Sequence, residues 1–440
     1  MKKKSAHVLA LLLGLVLVAG ACGSNNNANT SGGTPSENAG ASSQATNDNG
    51  EAGDPVSNNA AAKITIFQSK VEITDQMHRL AREYQEETGV EVEVWETTGD
   101  GYLSVLRTRL TNPETAPTIF SVGGISEAKQ LSAYLHDMSN APFVGNIAEN
   151  LELVVDGQIV GLPYGIEGFG VVYNKNLISA GDMTDLESFT NTLRRFQEEG
   201  IRGFSLSSES FFLIAHILNT PFGLQADPEG FIEALNAGEV TMAETAEFRE
   251  WAAFMEVIRE YNPTPLDQSY DLQTGNFATG RAASIHQGNW AWGMFADFDM
   301  DFEMGMKALP IGGNDKITAL VPSYWVVNSQ ADASEIQAAM DFIDWLVSSE
   351  RGQAYIVDDF GFIPAMTNIT ANDLDPLSRD VLAAANAGKT IPGTFGSWPA
   401  GIVDVHLAPV AEEFFINTSM TGQAFLERLD EAWQAAVTER

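Results

Sequence analysis

Three short β-rich runs, separated by two segments of helical period, occupy residues 64–122 and leave few ways to fold. Ile64-Thr65-Ile66-Phe67 reads as a first strand. Thr74 can cap a helix in which Met77, Leu80, Ala81 and Tyr84 recur at helical spacing, and Gly89 ends it. Val90, Val92 and Val94 alternate with Glu91 and Glu93, which predicts a second strand. Leu103, Leu106 and Leu110 line a second helix stopped near Pro113, and Thr118–Val122 is a third strand followed by Gly123-Gly124. Strands alternating with helices imply a parallel sheet covered on both faces, so the expected fold class is α/β. Such sheets take ligands beyond the carboxyl ends of their strands.

The pattern continues. Leu186–Glu199 reads as a helix and Phe231–Tyr261 as two more. Asp332 can cap a helix with Glu335 three residues on, and Ile336, Met340, Ile343 and Val347 line one face of it. Near the carboxyl end, Phe425, Leu429, Ala432 and Trp433 form one face of a helix over 422–438. No repeat at a fixed period is present.

The amino-terminal part has a different character. Lys2, Lys3 and Lys4 precede a short apolar run, Val8–Val18, and the small residues Ala19-Gly20-Ala21 precede Cys22. The run is too short for a membrane span and reads as a signal peptide over 1–21. A thiol in this place is where bacterial lipoprotein signals are cut and lipidated, so Cys22 is the expected lipidation site. Residues 22–62 are rich in Asn, Ser, Gly, Thr and Ala, and are expected to be a disordered tether. Cys22 is the single cysteine, so the body from residue 63 onward must be stabilised by apolar cores rather than disulfides. The net charge of −35 repels nucleic acid and anionic ligands and admits neutral or cationic ones.

Four segments carry a family likeness. They are Gly161-Leu162-Pro163-Tyr164 through Glu167, Gly168 and Gly170 to Tyr173-Asn174-Lys175; Phe277–Ile285 with Gly288-Asn289-Trp290-Ala291-Trp292; Leu309–Gly313 followed by Tyr324-Trp325-Val326-Val327; and Phe342–Leu346 with Gly361–Ala365. In this order they resemble the family 1 extracellular solute-binding proteins of ABC importers, the group that includes the maltodextrin-binding protein. The resemblance implies a two-lobe, periplasmic-binding-protein-like (type II) fold with a hinge and an interlobe cleft. Carried over, one lobe spans 63–168 plus 319–367 and the other 169–318 plus 368–440. Crossovers are then expected near Glu167–Gly170 and Leu320–Tyr324, with Gly165, Gly168 and Gly170 easing backbone change at the first.

It also implies a lipid-anchored, monomeric receptor. Its partners would be a neutral sugar or oligosaccharide, the membrane-spanning permease subunits, and the membrane itself through the lipid on Cys22. No nucleic acid and no cofactor are expected. A sugar offers C–H faces to aromatic planes and hydroxyl edges to carboxylates, amides and cations. Trp290 and Trp398 match family positions that stack on sugar, and Trp292 is assigned to the core. Tyr324 is assigned to the cleft and its neighbour Trp325 to the core. Glu167 matches an acidic position at the first crossover. Lys70 and Glu72 lie in the loop after the first strand, Asp100 begins the second helix, Gln287 and Asn289 flank Trp290, and Glu209 and Phe211 fall where the family has ligand contacts. Gly123-Gly124 departs from the maltodextrin receptors, which have a tryptophan and charged residues nearby.

Enzyme readings find little purchase. The six histidines show no zinc-ligand spacing, and neither a G-x-S-x-G elbow nor a P-loop is present. A secreted, lipid-anchored glycosidase is the alternative, because it would use the same aromatics with a carboxylate pair. With 59 acidic residues, such pairs occur by composition alone. A surface adhesin is a third class, and it would not close on small ligands.

Overall fold

The computed structural model describes residues 63–97, 101–179, 181–262, 264–295 and 298–439. The signal peptide, Cys22, the tether and Asp100 lie outside the described residues.

The described residues include strands β1 (Lys63–Gln68), β2 (Glu91–Glu96), β3 (Ile119–Val122), β4 (Leu153–Val155), β5 (Gln158–Pro163), β6 (Glu167–Asn174), β7 (Ser284–Gly288), β8 (Met304–Lys307), β9 (Ile317–Leu320), β10 (Tyr324–Val327) and β11 (Thr390–Pro392). They form two sheets. The first runs β2-β1-β3-β10-β5-β4 and the second β11-β9-β6-β7, with β8 also paired to β6. Strands β1, β2 and β3 are parallel, as their alternation with helices predicts. Strand β10 then enters antiparallel between β3 and β5, so the first sheet is mixed rather than purely parallel.

Each sheet has a core on both faces, and strand alternation sorts the side chains between them. Ile64 and Ile66 pack with Met77, Leu80 and Tyr84 of the helix Thr74–Thr88 and with Phe342 and Leu346 of the helix Ala333–Ser348. Phe67, the next residue after Ile66 in the alternation, faces the opposite core with Tyr102, Leu106 and Leu110. On β6, Val171 joins a large core with Phe189, Trp251 and Trp433, while Val172 joins Phe277, Leu377 and Val381. Gly89, at φ 78°, ends the first helix as expected. Thr74 does not cap that helix. It is the first helical residue, and its hydroxyl donates to Glu96 instead. At the helix Ala333–Ser348, the Glu335 carboxylate accepts the Asp332 N–H.

The chain passes between the sheets three times: at 164–166, at 321–323, and between Ile369 and Leu374. Glu167 and Gly168 therefore already belong to the second sheet, so the first passage comes just before the segment Glu167–Gly170, and β9 belongs to that sheet up to Leu320. The strand glycines serve close packing rather than backbone freedom. A Cβ on Gly170 would lie 2.2 Å from the Lys307 carbonyl oxygen, and one on Gly168 would lie 2.7 Å from Val381. Among the described residues no helix is long and apolar enough to cross a membrane.

Candidate functional site

The carboxyl end of β1 feeds the site. Gln68 is buried and fixes the next turn with both ends of its amide. Its Oε1 accepts the Lys70 N–H at 2.8 Å, and its Nε2 donates to the Lys70 carbonyl at 3.1 Å and to Glu96 at 3.3 Å. This turns the Lys70 ammonium inward, 2.9 Å from Glu72 and 2.5 Å from Glu167. Glu167 opens β6, so the ion pair joins the two sheets. Burial alone would lower the Lys70 pKa, but the charges of Glu167 and Glu72 outweigh it and hold the ammonium well above its ordinary value. Burial pushes the Glu167 carboxyl up, and Lys70 offsets part of that rise.

A cavity of about 730 Å³ opens beside this cluster, walled by elements of both sheets. Its aromatic side is built from Phe169 on β6, Phe211, Phe212 and His216 at the start of a helical stretch, Trp290 after β7, and Phe395. Phe212 and Trp290 are stacked at 6.1 Å and 17°, and the His216 ring is stacked on Phe169 at 4.4 Å. Burial and the nearby His286 push His216 well below its ordinary value, which leaves it neutral. Tyr270 packs on Phe212 at 5.0 Å. Burial, with Glu72 and Glu167 nearby, pushes its phenol up, so its hydroxyl keeps its proton. Among the described residues, three polar atoms of this wall have no hydrogen-bond partner: the Tyr270 hydroxyl, Nδ1 of His216 and Oε2 of Glu209. The other Glu209 oxygen accepts the Tyr270 N–H at 2.8 Å.

Of the residues expected at the site, Lys70, Glu72, Glu167, Glu209, Phe211, Trp290 and Trp398 line this cavity. Trp398 does so only by an edge. It is 1% exposed, its Nε1 donates to Thr394 at 3.0 Å, and Phe222 and Trp433 pack on it, so its faces are taken and Phe395 presents the ring instead. Gln287 and Asn289 do not line the cavity. Gln287 is fully buried, donates to Gln273 at 2.7 Å and accepts the Trp290 indole N–H at 2.8 Å, so it orients that ring. Asn289 accepts the Gly168 N–H at 2.9 Å and donates to Ser378 at 3.0 Å, joining β6 to the helix Pro376–Asn386.

Tyr324 also lies away from the cavity, against the core of Phe120 and Val326, while Pro322 and Ser323 line the cavity in its place. Trp325 is in the core as expected. Trp292, expected in the core, is 37% exposed, because the short helix Asn289–Phe295 turns it outward. Phe169, Phe212, His216, Tyr270 and Phe395 were not anticipated. Phe212 and Phe395 adjoin residues already singled out, whereas nothing local marks His216.

The wall of flat rings faces carboxylates, an ammonium and a phenol, a chemistry that suits C–H faces and hydroxyl edges in one guest. Among the described residues no group of three metal-ligating side chains occurs.

Residues 79–385 match the family described as bacterial extracellular solute-binding proteins. The xylose/arabinose-binding protein XacG of Haloferax volcanii is 30% identical over 99 residues, which is 22% of this chain and 20% of that protein. The chain therefore spans about a fifth of the length of that curated relative. Among solved structures, RafE in complex with raffinose matches at TM-score 0.70 and 14% identity, over 85% of this chain and 99% of that one. A sugar transporter of Bacillus licheniformis in complex with stachyose matches at TM-score 0.69 and 16% identity, over 85% and 100%. These likenesses show the two-lobe α/β fold of solute-binding proteins. With the family match over most of its length, the chain belongs to the bacterial extracellular solute-binding proteins, a family of receptors rather than enzymes.

Proposed function

We propose that this protein captures a neutral sugar or oligosaccharide in the cavity between its lobes. It then delivers that guest unaltered to an ABC permease. The observation that carries this reading is the cavity itself: an aromatic wall faces the Lys70–Glu72–Glu167 cluster, and three polar atoms await a partner. Buried polar groups left unpaired are costly, and guest hydroxyls would satisfy them. The raffinose and stachyose complexes among the structural relatives, and the xylose/arabinose-binding relative, support a carbohydrate guest. The proposed lobes are the two sheets with their helices, and the hinge is the set of crossings at 164–166, 321–323 and 369–374. Lipid on Cys22, a tether over 23–62 and a monomeric state complete the reading, supported by the signal-like amino terminus.

A thermal-shift screen over mono- and oligosaccharides tests it. A sugar bound only by the native state at a hundredfold excess over its Kd should stabilise by about 2.7 kcal/mol. A flat melting temperature across the panel, or hydrolysis of any member, overturns the reading. Within the site, Tyr270→Phe should weaken binding of the responding sugar by about 1 kcal/mol, the typical worth of one hydrogen bond. Titration calorimetry beside wild type reads that difference.

A further inference from the structure

We infer that the two lobes are clasped beside the cavity, which Gly123, Gly396 and Asp404 help to line, by a backbone contact between Gly124 and Gly396 and by a bond from Asp404 to Gly101, and that these residues set how long a guest is held. The inference rests on the receptor reading and extends it to residues outside the hinge.

Away from the three chain crossings, the lobes meet where side chains are missing. A Cβ on Gly124, in the loop after β3, would lie 2.6 Å from the Cα of Gly396, and a Cβ on Gly396 would lie 3.1 Å from the Gly123 carbonyl oxygen. The loop carrying Gly396 is held on the second lobe, since the Thr394 N–H donates to Asn219 at 2.7 Å and Trp398 donates to Thr394 at 3.0 Å. On the other side, Glu127 accepts the Gly123 N–H at 2.7 Å, which fixes the first-lobe loop. Neither surface can yield easily, so a side chain inserted between them would hold the lobes apart.

Asp404 makes the second contact. One of its oxygens accepts the Ser210 hydroxyl of its own lobe, and the other accepts the Gly101 N–H of the first lobe at 3.3 Å. Gly101 is the N-cap of the helix Tyr102–Leu110 and has no side chain with which to cap it. A carboxylate from the opposite lobe therefore meets the positive end of that helix, where an anion is favoured. This contact exists only while the lobes are together. Gly293 repeats the theme beside Glu72, where its Cβ would lie 3.3 Å from the Glu72 carbonyl oxygen.

The experiment compares full-length wild type with Gly396→Val, the milder Gly396→Ala and Asp404→Ala. Raffinose, stachyose and maltose serve as probes, read by stopped-flow release and by solution scattering. If wild type binds a probe, Gly396→Val and Asp404→Ala should each release it at least tenfold faster, with Gly396→Ala between them and wild type. Ligand-free melting temperatures should stay close to wild type, which a merely structural role would not allow. Release at the wild-type rate from both Gly396→Val and Asp404→Ala overturns the clasp and leaves the receptor reading standing. If no probe binds wild type, the clasp is read in the ligand-free proteins. Gly396→Val must then show a larger radius of gyration and faster hydrogen exchange at the Gly101 amide. Identical curves and exchange rates overturn it.

Discussion

Replacing Trp290 by alanine should weaken sugar binding by on the order of 1–3 kcal/mol, roughly a five- to 150-fold rise in Kd. The indole is half-buried in the cavity wall, stacked with Phe212 and held by the Gln287 side chain, so its orientation is set before a guest arrives. Preorganisation of this kind makes a ring effective, because little rotamer freedom remains to be lost on binding. Calorimetry with the sugar that gives the largest thermal shift measures the loss, and ligand-free melting separates it from a disturbed wall. Trp290→Phe should recover part of the affinity, since a flat face remains. An alanine variant that binds as tightly as wild type would place the stacking surface elsewhere, with Phe395 as the next ring to test.

Replacing Lys70 by methionine should cost about 3–5 kcal/mol of folding stability, the usual result of stripping one partner from a buried ion pair. Glu167 is 2% exposed and would be left beside Glu72 with no other cation paired to it among the described residues. Urea unfolding at pH 7 measures the loss, and adding Glu167→Gln to the methionine variant should recover much of it by removing the stranded charge. The pH dependence follows from the same pair. The folded-state pKa of Lys70 is raised, so the stabilisation is complete below the ordinary lysine value of 10.5 and fades as pH climbs above it. Burial raises the Glu167 carboxyl, so in the methionine variant the deficit should shrink as pH falls toward the ordinary value of 4.5 and that group takes up a proton. A methionine variant that unfolds at the wild-type urea midpoint would show that the cluster adds nothing to stability.

Much of the site was legible because it clings to features written locally. Lys70 and Glu72 follow the first strand, and Glu167 sits in the Gly-Leu-Pro-Tyr segment; all three line the cavity. Their pairing was not legible, since Lys70 and Glu167 are 97 residues apart and are brought together only by the packing of two sheets. The tryptophans make the same point. Trp290, Trp292 and Trp398 share turn-rich surroundings, yet one lines the cavity, one faces outward and one is enclosed by Phe222 and Trp433. Which face of a ring stays free depends on what a remote element lays over it, and no local pattern encodes that. Gln287 and Asn289 flank the right tryptophan but spend their amides on Gln273, Gly168 and Ser378.

From the chain alone came the α/β class, the strand–helix order through β3, the family likeness and the acidic balance, because period, turn chemistry and composition act over a few residues at a time. Tertiary structure alone decided that β10 runs antiparallel between β3 and β5, that Glu167 lies on the second sheet, and that Phe169, His216 and Tyr270 complete the wall. It also brought Gly124 against Gly396. The physical reason is common to all of these: strand pairing and lobe packing join segments far apart in sequence, and only that joining determines which polar atoms are paired, which rings are covered and which backbones touch.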